Sequence, residues 1–500
     1  MLFSRILVSH EERDQLGGNQ ATTGSVYTAT ATDRSVVGQP EVTIDNNLPD
    51  EVLLRIFDFY KEGARTYLDP PWGWQTLAHV CRRWRYIILA SPQRLGLQVE
   101  CSAGTPTRKS LDIWPPFPIA ITSINFNPYK MSARGEENIV AALEQCDRVC
   151  EITLFGFKRA ALERFAAVME GPFPALTQLT LLSFDRTPAM LPQTFLGGSA
   201  PSLQLLALQG VPFPTLPDLL LSADHLQFLD LDNVPHAGYI SPQVMITSLL
   251  ALPNLISLVL GFQSPQSRPL QLTLPPLARA LPALTHFEFK GVSEYLEEFV
   301  ARIDTPSLET LRITLFLDLV FDIPRLQNFV DRTERLLPLD LAEVQLCPWG
   351  VRAAFGSTLA LRLDIKCKVP DWQLSSMAQI CGQLCPLLPL VERLHIIDNY
   401  WHELEWQDNT DPTPWLELLN AFVYAKSLHV SEMLGELVAS ALGELAGEGV
   451  TEVLPTLHHL FLEGAPSSSV LEALKPFVAP RQFSDHPIVI QPWERTSDLS

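Results

Sequence analysis

What this chain of 500 residues lacks already narrows it. No apolar run approaches the roughly 18 residues that a membrane span needs. The hydrophobic residues, 47% of the chain, come instead in short packets broken by proline and polar side chains. Eight cysteines are too sparse for a disulfide framework. Basic residues are in deficit: 36 Lys and Arg against 56 Asp and Glu, a net charge of −20. Such a chain is repelled by nucleic-acid phosphates and by anionic lipid, so neither nucleic acid nor membrane is expected as a partner. The N-terminus offers only Ile6-Leu7-Val8 as an apolar core before its acidic residues, a poor signal peptide. The expected setting is reduced and intracellular, cytoplasmic and/or nuclear.

Chemical motifs are missing too. There is no phosphate-cradling G-x-x-x-x-G-K-[ST] and no G-x-S-x-G nucleophile turn. Gly197-Gly198 and the glycines between 443 and 449 read as turns. Cys146/Cys150 and Cys381/Cys385 have one-helix-turn spacing but no neighbouring Cys/His pair to complete a zinc site. His458-His459, adjacent on an expected strand, point to opposite faces and cannot chelate together. The chain therefore reads as a non-enzyme, with no catalytic residue, no metal and no cofactor.

What is present is short, repetitive structure. The 41 prolines favour many brief elements, and 500 residues exceed one compact globule. Residues 1–44, rich in Gly, Ser, Thr, Gln and Ala, sustain neither helical nor strand periodicity and read as a disordered tail. At 46–51, Asn-Asn-Leu-Pro-Asp-Glu is a helix start, with proline near the first turn and two acids on the positive end of the helix dipole. Val52, Leu53, Ile56, Phe57 and Tyr60 follow at helical spacing, and that helix should stop near Gly63. A loop over 62–73 leads to a second helical stretch carrying Leu77, Val80, Cys81, Trp84, Ile87 and Ile88. Residues 45–95 thus form a small three-helix unit, too short to bury much core alone.

After a connecting segment, 96–118, another pattern takes over until 490, leaving 491–500 as a C-terminal tail. It is apolar-x-x-apolar-x-apolar. Clear copies are Leu176/Leu179/Leu181, Leu203/Leu206/Leu208, Leu226/Leu229/Leu231, Leu255/Leu258/Leu260, Leu284/Phe287/Phe289, Leu308/Leu311/Ile313 and Leu457/Leu460/Leu462. Weaker copies start at Ile121, Val149, Leu341, Ala360, Val391 and Ala425, and the register is irregular after 308. The last two apolar positions lie two apart and so share one face of a short strand. Prolines 174, 201, 253, 282 and 306 precede many units and are expected to mark where a strand begins. Helical returns, such as 136–146 and 295–303, join the strands. A period in the twenties with this pattern is the leucine-rich-repeat signature. The fold class is α+β or α/β: a three-helix unit followed by an irregular repeat horseshoe with a parallel sheet. Side chains between the buried leucines should line its concave face and are the candidate target-binding residues: Phe228, Asp230, Asp232, His286, Glu288, Lys290, Arg312, Phe461 and Glu463.

The first unit resembles a known motif. Leu48-Pro49-Asp50-Glu51-Val52-Leu53-Leu54-Arg55-Ile56-Phe57, followed by Leu77-Ala78-His79-Val80-Cys81-Arg82-Arg83-Trp84-Arg85, is similar to the F-box. With the bridging stretch from Thr105 to Pro115 and the repeats, the chain resembles a large family of F-box proteins abundant in basidiomycete fungi. The resemblance implies a substrate-recognition subunit of an SCF-type ubiquitin ligase. Its F-box would dock on a Skp adaptor, and through it on a cullin scaffold, while the repeats hold an unknown target protein. The adaptor-binding candidates are then Leu48, Pro49, Leu53, Ile56, Phe57, Leu77, Val80, Cys81 and Trp84. Residues 48–95 carry seven basic side chains against five acidic ones, a sign that suits an acidic adaptor. A solvated helix face accounts equally well for Arg82-Arg83-x-Arg85. The alternative reading is a non-catalytic repeat scaffold for protein interactions outside a ubiquitin ligase.

Overall fold

The computed structural model describes residues 48–63, 73–104, 106–124, 131–185, 187–264, 279–316, 321–337, 339–356, 358–367, 370–384, 388, 390–398, 411–445, 449–482 and 487–495. The expected tail over 1–44 and most of the expected loop over 62–73 lie outside them. The chain divides into two compact units between Ile88 and Leu89.

The first unit holds helices α1 (Asp50–Gly63), α2 (Gly73–Val80) and α3 (Arg82–Ala90), the last running across the division. Helix α1 begins as its sequence dictates. The Pro49 carbonyl accepts from the amides of Val52 and Leu53, and Asp50 and Glu51 sit in the first turn, where the helix dipole favours negative charge. The single helical stretch expected through Leu77 to Ile88 is instead two helices with a break at Cys81. The Cys81 sulfur accepts from the Trp84 amide at 3.4 Å, satisfying one of the free N–H groups at the start of α3. The cysteine therefore acts as a cap.

The second unit is built on a sixteen-stranded sheet. Its strands are β1 (Val99–Cys101), β2 (Ile119–Ile124), β3 (Val149–Phe155), β4 (Gln178–Leu182), β5 (Leu205–Gln209), β6 (Phe228–Val234), β7 (Ser257–Phe262), β9 (His286–Gly291), β11 (Thr310–Phe316), β12 (Leu341–Cys347), β13 (Gly350–Phe355), β14 (Leu361–Lys366), β15 (Arg393–Asp398), β16 (Ser427–Val430), β17 (His459–Glu463) and β18 (Val489–Trp493). Two short strands, β8 (Arg279–Ala280) and β10 (Ile303–Asp304), pair separately. The sheet begins inside the expected connecting segment and ends inside the expected tail. Both ends lack the leucine triplet: β1 shows only a two-residue alternation, Leu97-x-Val99-x-Cys101, whose apolar members are buried.

Each repeat works as its pattern requires. Leu179 and Leu181, Leu206 and Leu208, Leu229 and Leu231, and Leu258 and Leu260 are all buried, and they lie side by side in register across β4 to β7. Leu176, Leu203, Leu226 and Leu255, the first residue of each triplet, are buried as well. The returning helices contribute matching apolar faces, for example Leu162 and Phe165 of Arg159–Val168 and Leu296, Phe299 and Val300 of Ser293–Val300. The prolines do not sit at strand starts. Each is the second residue of a turn closed by an amide three residues on, as in Leu176 N to Phe173 O, Leu203 N to Ala200 O and Leu308 N to Thr305 O. That position suits the fixed φ of proline and needs no N–H.

The sheet is not wholly parallel. After β11 the chain passes over two strand positions, lays down β12, and returns through β13 to β14, which pairs with β11. Strand β13 is antiparallel to both neighbours, while β12 pairs in parallel with β15. The cause is local. Cys347 and Gly350 are partners in register, so only Pro348 and Trp349 separate two strands, and a link that short can only join antiparallel neighbours.

Leu229→Ala removes a fully buried side chain from the middle of the row and should cost about 2–5 kcal/mol, read as a lowered denaturation midpoint of the full chain. Phe228→Ala, on the opposite face, should shift that midpoint far less.

Candidate functional site

Two surfaces concentrate unusual side chains, one in each unit. In the helical unit, burial splits the expected adaptor set. Leu53, Phe57 and Leu77 are buried, and Phe57 meets the Trp84 ring edge-on at 4.9 Å. These three hold the unit together and cannot be offered to a partner without unfolding it. Leu48, Cys81 and Trp84 are half-buried and Pro49 is exposed. Ile56 and Val80 are exposed, the latter by 54%. Sequence reasoning missed the most exposed members, Phe59 and Tyr86, each 73% accessible. With Val52, Ile56 and Tyr60, Phe59 completes an i, i+4, i+7, i+8 stripe on α1, a spacing visible in the sequence. The arginine cluster is largely consumed internally. Arg83 donates to the Leu48 carbonyl and to Asp50, both at 2.6 Å, and Arg85 donates to the Ala78 carbonyl.

On the sheet, side chains alternate with the buried leucines and form rows across the strands on the opposite, open face. One row reads Asp230, Val259, Glu288, Arg312, Arg362, Ala354, Glu343, His395, His429, Phe461 and Gln491 in spatial order. Its first part is acidic. Phe228 is exposed by 42%, as the pattern predicts. Asp230 differs from expectation: it lies on the open face, but its carboxyl is desolvated. One oxygen accepts from the Gln209 amide at 2.8 Å and the other has no partner. Burial, against the opposing Gln209 bond, lifts its pKa to about 7. Asp232 is held by Lys290, which also donates to Asn233. His286 shares a hydrogen bond with the Thr285 hydroxyl, and burial lowers its pKa. Burial raises that of Glu288. Glu463 accepts from the Glu432 amide.

The middle of the face is basic. Arg312 and Arg362 are register partners on β11 and β14. Asp364 receives Arg352 Nε and Arg362 Nε, each at 2.7 Å. Beyond it lies a ladder of rings. His395 and His429 are 4.4 Å apart, His429 stacks on Phe461 at 4.3 Å, and Trp493 lies 5.1 Å from His429. Burial, with the neighbouring positive groups, lowers the pKa of both histidines to about 4. Sequence reasoning placed only Arg312 and Phe461 here. Asp364, His395 and His429 sat in plain view as the middle residue of the weaker triplets, Leu363-Asp364-Ile365, Leu394-His395-Ile396 and Leu428-His429-Val430, whereas Arg352, Arg362 and Trp493 occupy no such position.

The thiols Cys101 and Cys150 are both pushed up to about 11, chiefly by burial, the opposite of what a nucleophilic cysteine requires. Among the described residues no group of three His, Cys, Asp or Glu side chains is placed to hold a metal ion, and no helix is long and apolar enough to cross a membrane.

Comparison with known proteins bears on both surfaces. Residues 45–92 match the F-box-like family. A search of curated proteins found no match. Among solved structures, the chain is similar to the leucine-rich repeat-containing protein LegL7 from Legionella pneumophila, at 12% identity, over 76% of this chain and 97% of that one, with a TM-score of 0.26. At that score the repeat assignment rests on the sheet and its buried leucine rows. The chain carries an F-box-like domain and a long, mainly parallel repeat sheet with intervening helices.

Two pH dependences follow. Asp230 has a folded-state pKa above its ordinary 3.8, so its carboxyl favours folding below that value and withdraws stability as pH rises toward 7. Asp230→Asn should therefore raise the thermal midpoint at pH 8 by more than at pH 5. His395 and His429 have folded values below 6.5, so they withdraw stability as pH falls from 6.5 toward 4. His429→Phe should flatten that acid limb in a pH series of melting curves.

Proposed function

We propose that this chain is the substrate-recognition subunit of an SCF-type ubiquitin ligase, docking on a Skp adaptor, and through it a cullin scaffold, by its F-box-like helices and holding a target protein on its repeat sheet. The observation that carries this reading is the F-box-like match over 45–92 on helices that leave Ile56, Phe59, Val80 and Tyr86 uncovered. Large apolar side chains crowded on a short helical unit are the mark of a protein interface. The role is non-enzymatic: the chain binds and positions, and the chemistry belongs to other subunits. Membership of the basidiomycete family and an intracellular, cytoplasmic or nuclear setting belong to the same proposal.

Ile56→Asp with Val80→Asp places charge on two exposed positions, so the fold should survive while the apolar contact is lost. Co-purification of the full chain with a Skp adaptor should fall at least tenfold, with an unchanged thermal midpoint. Adaptor capture at the wild-type level by this variant would overturn the docking surface. Failure of the wild-type chain to capture adaptor at all would favour the scaffold reading.

A further inference from the structure

The basic centre of the open face is out of character for a chain of net charge −20. Three guanidinium groups, Arg312, Arg362 and Arg352, project from three consecutive strands, β11, β14 and β13. Arg312 and Arg362 are register partners one strand spacing, about 5 Å, apart, and Arg352 stands one strand farther on, opposite Asp364. Asp364 occupies Arg352 and Arg362 together. Arg312 makes no hydrogen bond or ion pair among the described residues. Its nearest counter-charge in register is Glu288 on β9. Asp364 is thus shared by Arg352 and Arg362, and Arg312 is the one guanidinium of the three with no ion pair among the described residues. The Arg352 and Arg362 side chains are about one-third accessible, so the forks are within reach from solvent.

Three more features of the face select the occupant. The flank on one side is acidic, with Asp232 and Glu288 beside the cluster, and Glu343 follows on the other. A nucleic acid, with a phosphate at every nucleotide, would meet those carboxylates. A single carboxylate matches the one guanidinium left without an ion pair, and Asp364 shows a carboxylate on this face accepting from two guanidiniums at once. Farther along, the ring ladder of His395, His429 and Phe461 offers neutral π faces. We infer that the open face takes an acidic segment of a partner polypeptide, one carboxylate side chain bridging Arg312 and Arg362 and an aromatic side chain of the same segment lying on the His429–Phe461 ladder. The separation is fixed by the sheet. From β14 to β16 and β17, which carry His429 and Phe461, is four to five strand spacings, about 19–24 Å. An extended segment covers that in about six to seven residues. The inference rests on the receptor reading only for the origin of the segment, as a target.

The test uses the full chain and fluorescein-labelled peptide pools of the form Glu-x5-Phe, with x drawn from Gly, Ala and Ser, read by anisotropy. Matched pools carry Lys or phosphoserine in place of Glu, or Gly in place of Phe. The Glu pool should bind at least tenfold more tightly than the Lys pool and weaken as salt is raised. Arg312→Ala should cost about tenfold on the Glu pool with no change in thermal midpoint. Arg312→Glu should shift preference toward the Lys pool, and His429→Ala should weaken the Phe-containing pool but not the Gly pool. Wild-type binding of the Glu pool by Arg312→Ala, or equal binding of the Glu and Lys pools, overturns the inference. A tenfold preference for phosphoserine over Glu also overturns it, giving the site to a phosphorylated segment. Skp adaptor capture is measured on the same preparations. Peptide binding without adaptor capture upholds the surface and removes the ligase role, while adaptor capture without Glu-pool binding does the reverse.

Discussion

The repeat unit depends on one constraint: no strand can bury its apolar pair without a neighbour on each side. A single repeat offers two inward residues, such as Leu229 and Leu231, and a short return. Its leucines become buried only because Leu206 and Leu208 lie against them on one side and Leu258 and Leu260 on the other. Stability therefore accumulates by stacking, and the period can vary so long as the register of the inward row is kept. Polar ties reinforce the stacking. Glu297 accepts from the Arg325 and Leu326 amides at the start of the next helix, at 2.8 Å each. Buried Arg481 donates to the Val450, Val453 and Leu454 carbonyls of the turn before. At the far end β18 is an edge strand carrying Pro492, a residue with no N–H to offer a further strand.

The same constraint explains how the sheet tolerates its break. Reversing β13 would be ruinous if it turned apolar side chains outward. It does not: Val351, Ala353 and Phe355 remain buried beside Ile365, Leu363 and Leu361. The pleat requires only that alternate residues share a face, and that rule is indifferent to strand direction. One consequence is electrostatic. The meander inserts three strands whose outward positions include Glu343, Gln345, Arg352, Ala354, Arg362 and Asp364, so the arginine cluster of the open face stands where the repeat pattern is interrupted.

Much of this was legible in the sequence, and the reason is periodicity. The triplets named both the strands and their buried members, and Leu48 to Phe57 named the helical motif. What escaped lacked a period or depended on a tertiary partner. Strand β1 is three residues long and β18 is mostly exposed, so neither carries a triplet. The order of β12 to β14 follows from a two-residue link, Pro348-Trp349, which signals a hairpin only when both flanks are already known to be strands. The break at Cys81 rests on a sulfur accepting one amide. The burial of the Asp230 carboxyl depends on Gln209, one strand away. Helical periodicity marked Leu53 and Phe57 as apolar but did not say whether they faced a partner or the inside of their own unit.

That ambiguity separates the two surfaces by their physics. The helical unit exposes large apolar side chains, Phe59 and Tyr86 above all, whose cost of exposure is relieved only by another apolar surface. Contact of that kind gains by area and is little affected by salt. The open face of the sheet is the opposite case. Its charges are already partly matched from within: Asp232 with Lys290, and Asp364 with Arg352 and Arg362. A partner there must displace or extend existing pairs, so its net gain is small and its specificity high, since any side chain that leaves a half-buried charge unmatched is rejected. The first arrangement suits a lasting attachment to one protein. The second suits repeated, discriminating and reversible capture, and a single chain that carries both can hold a fixed partner while exchanging the other.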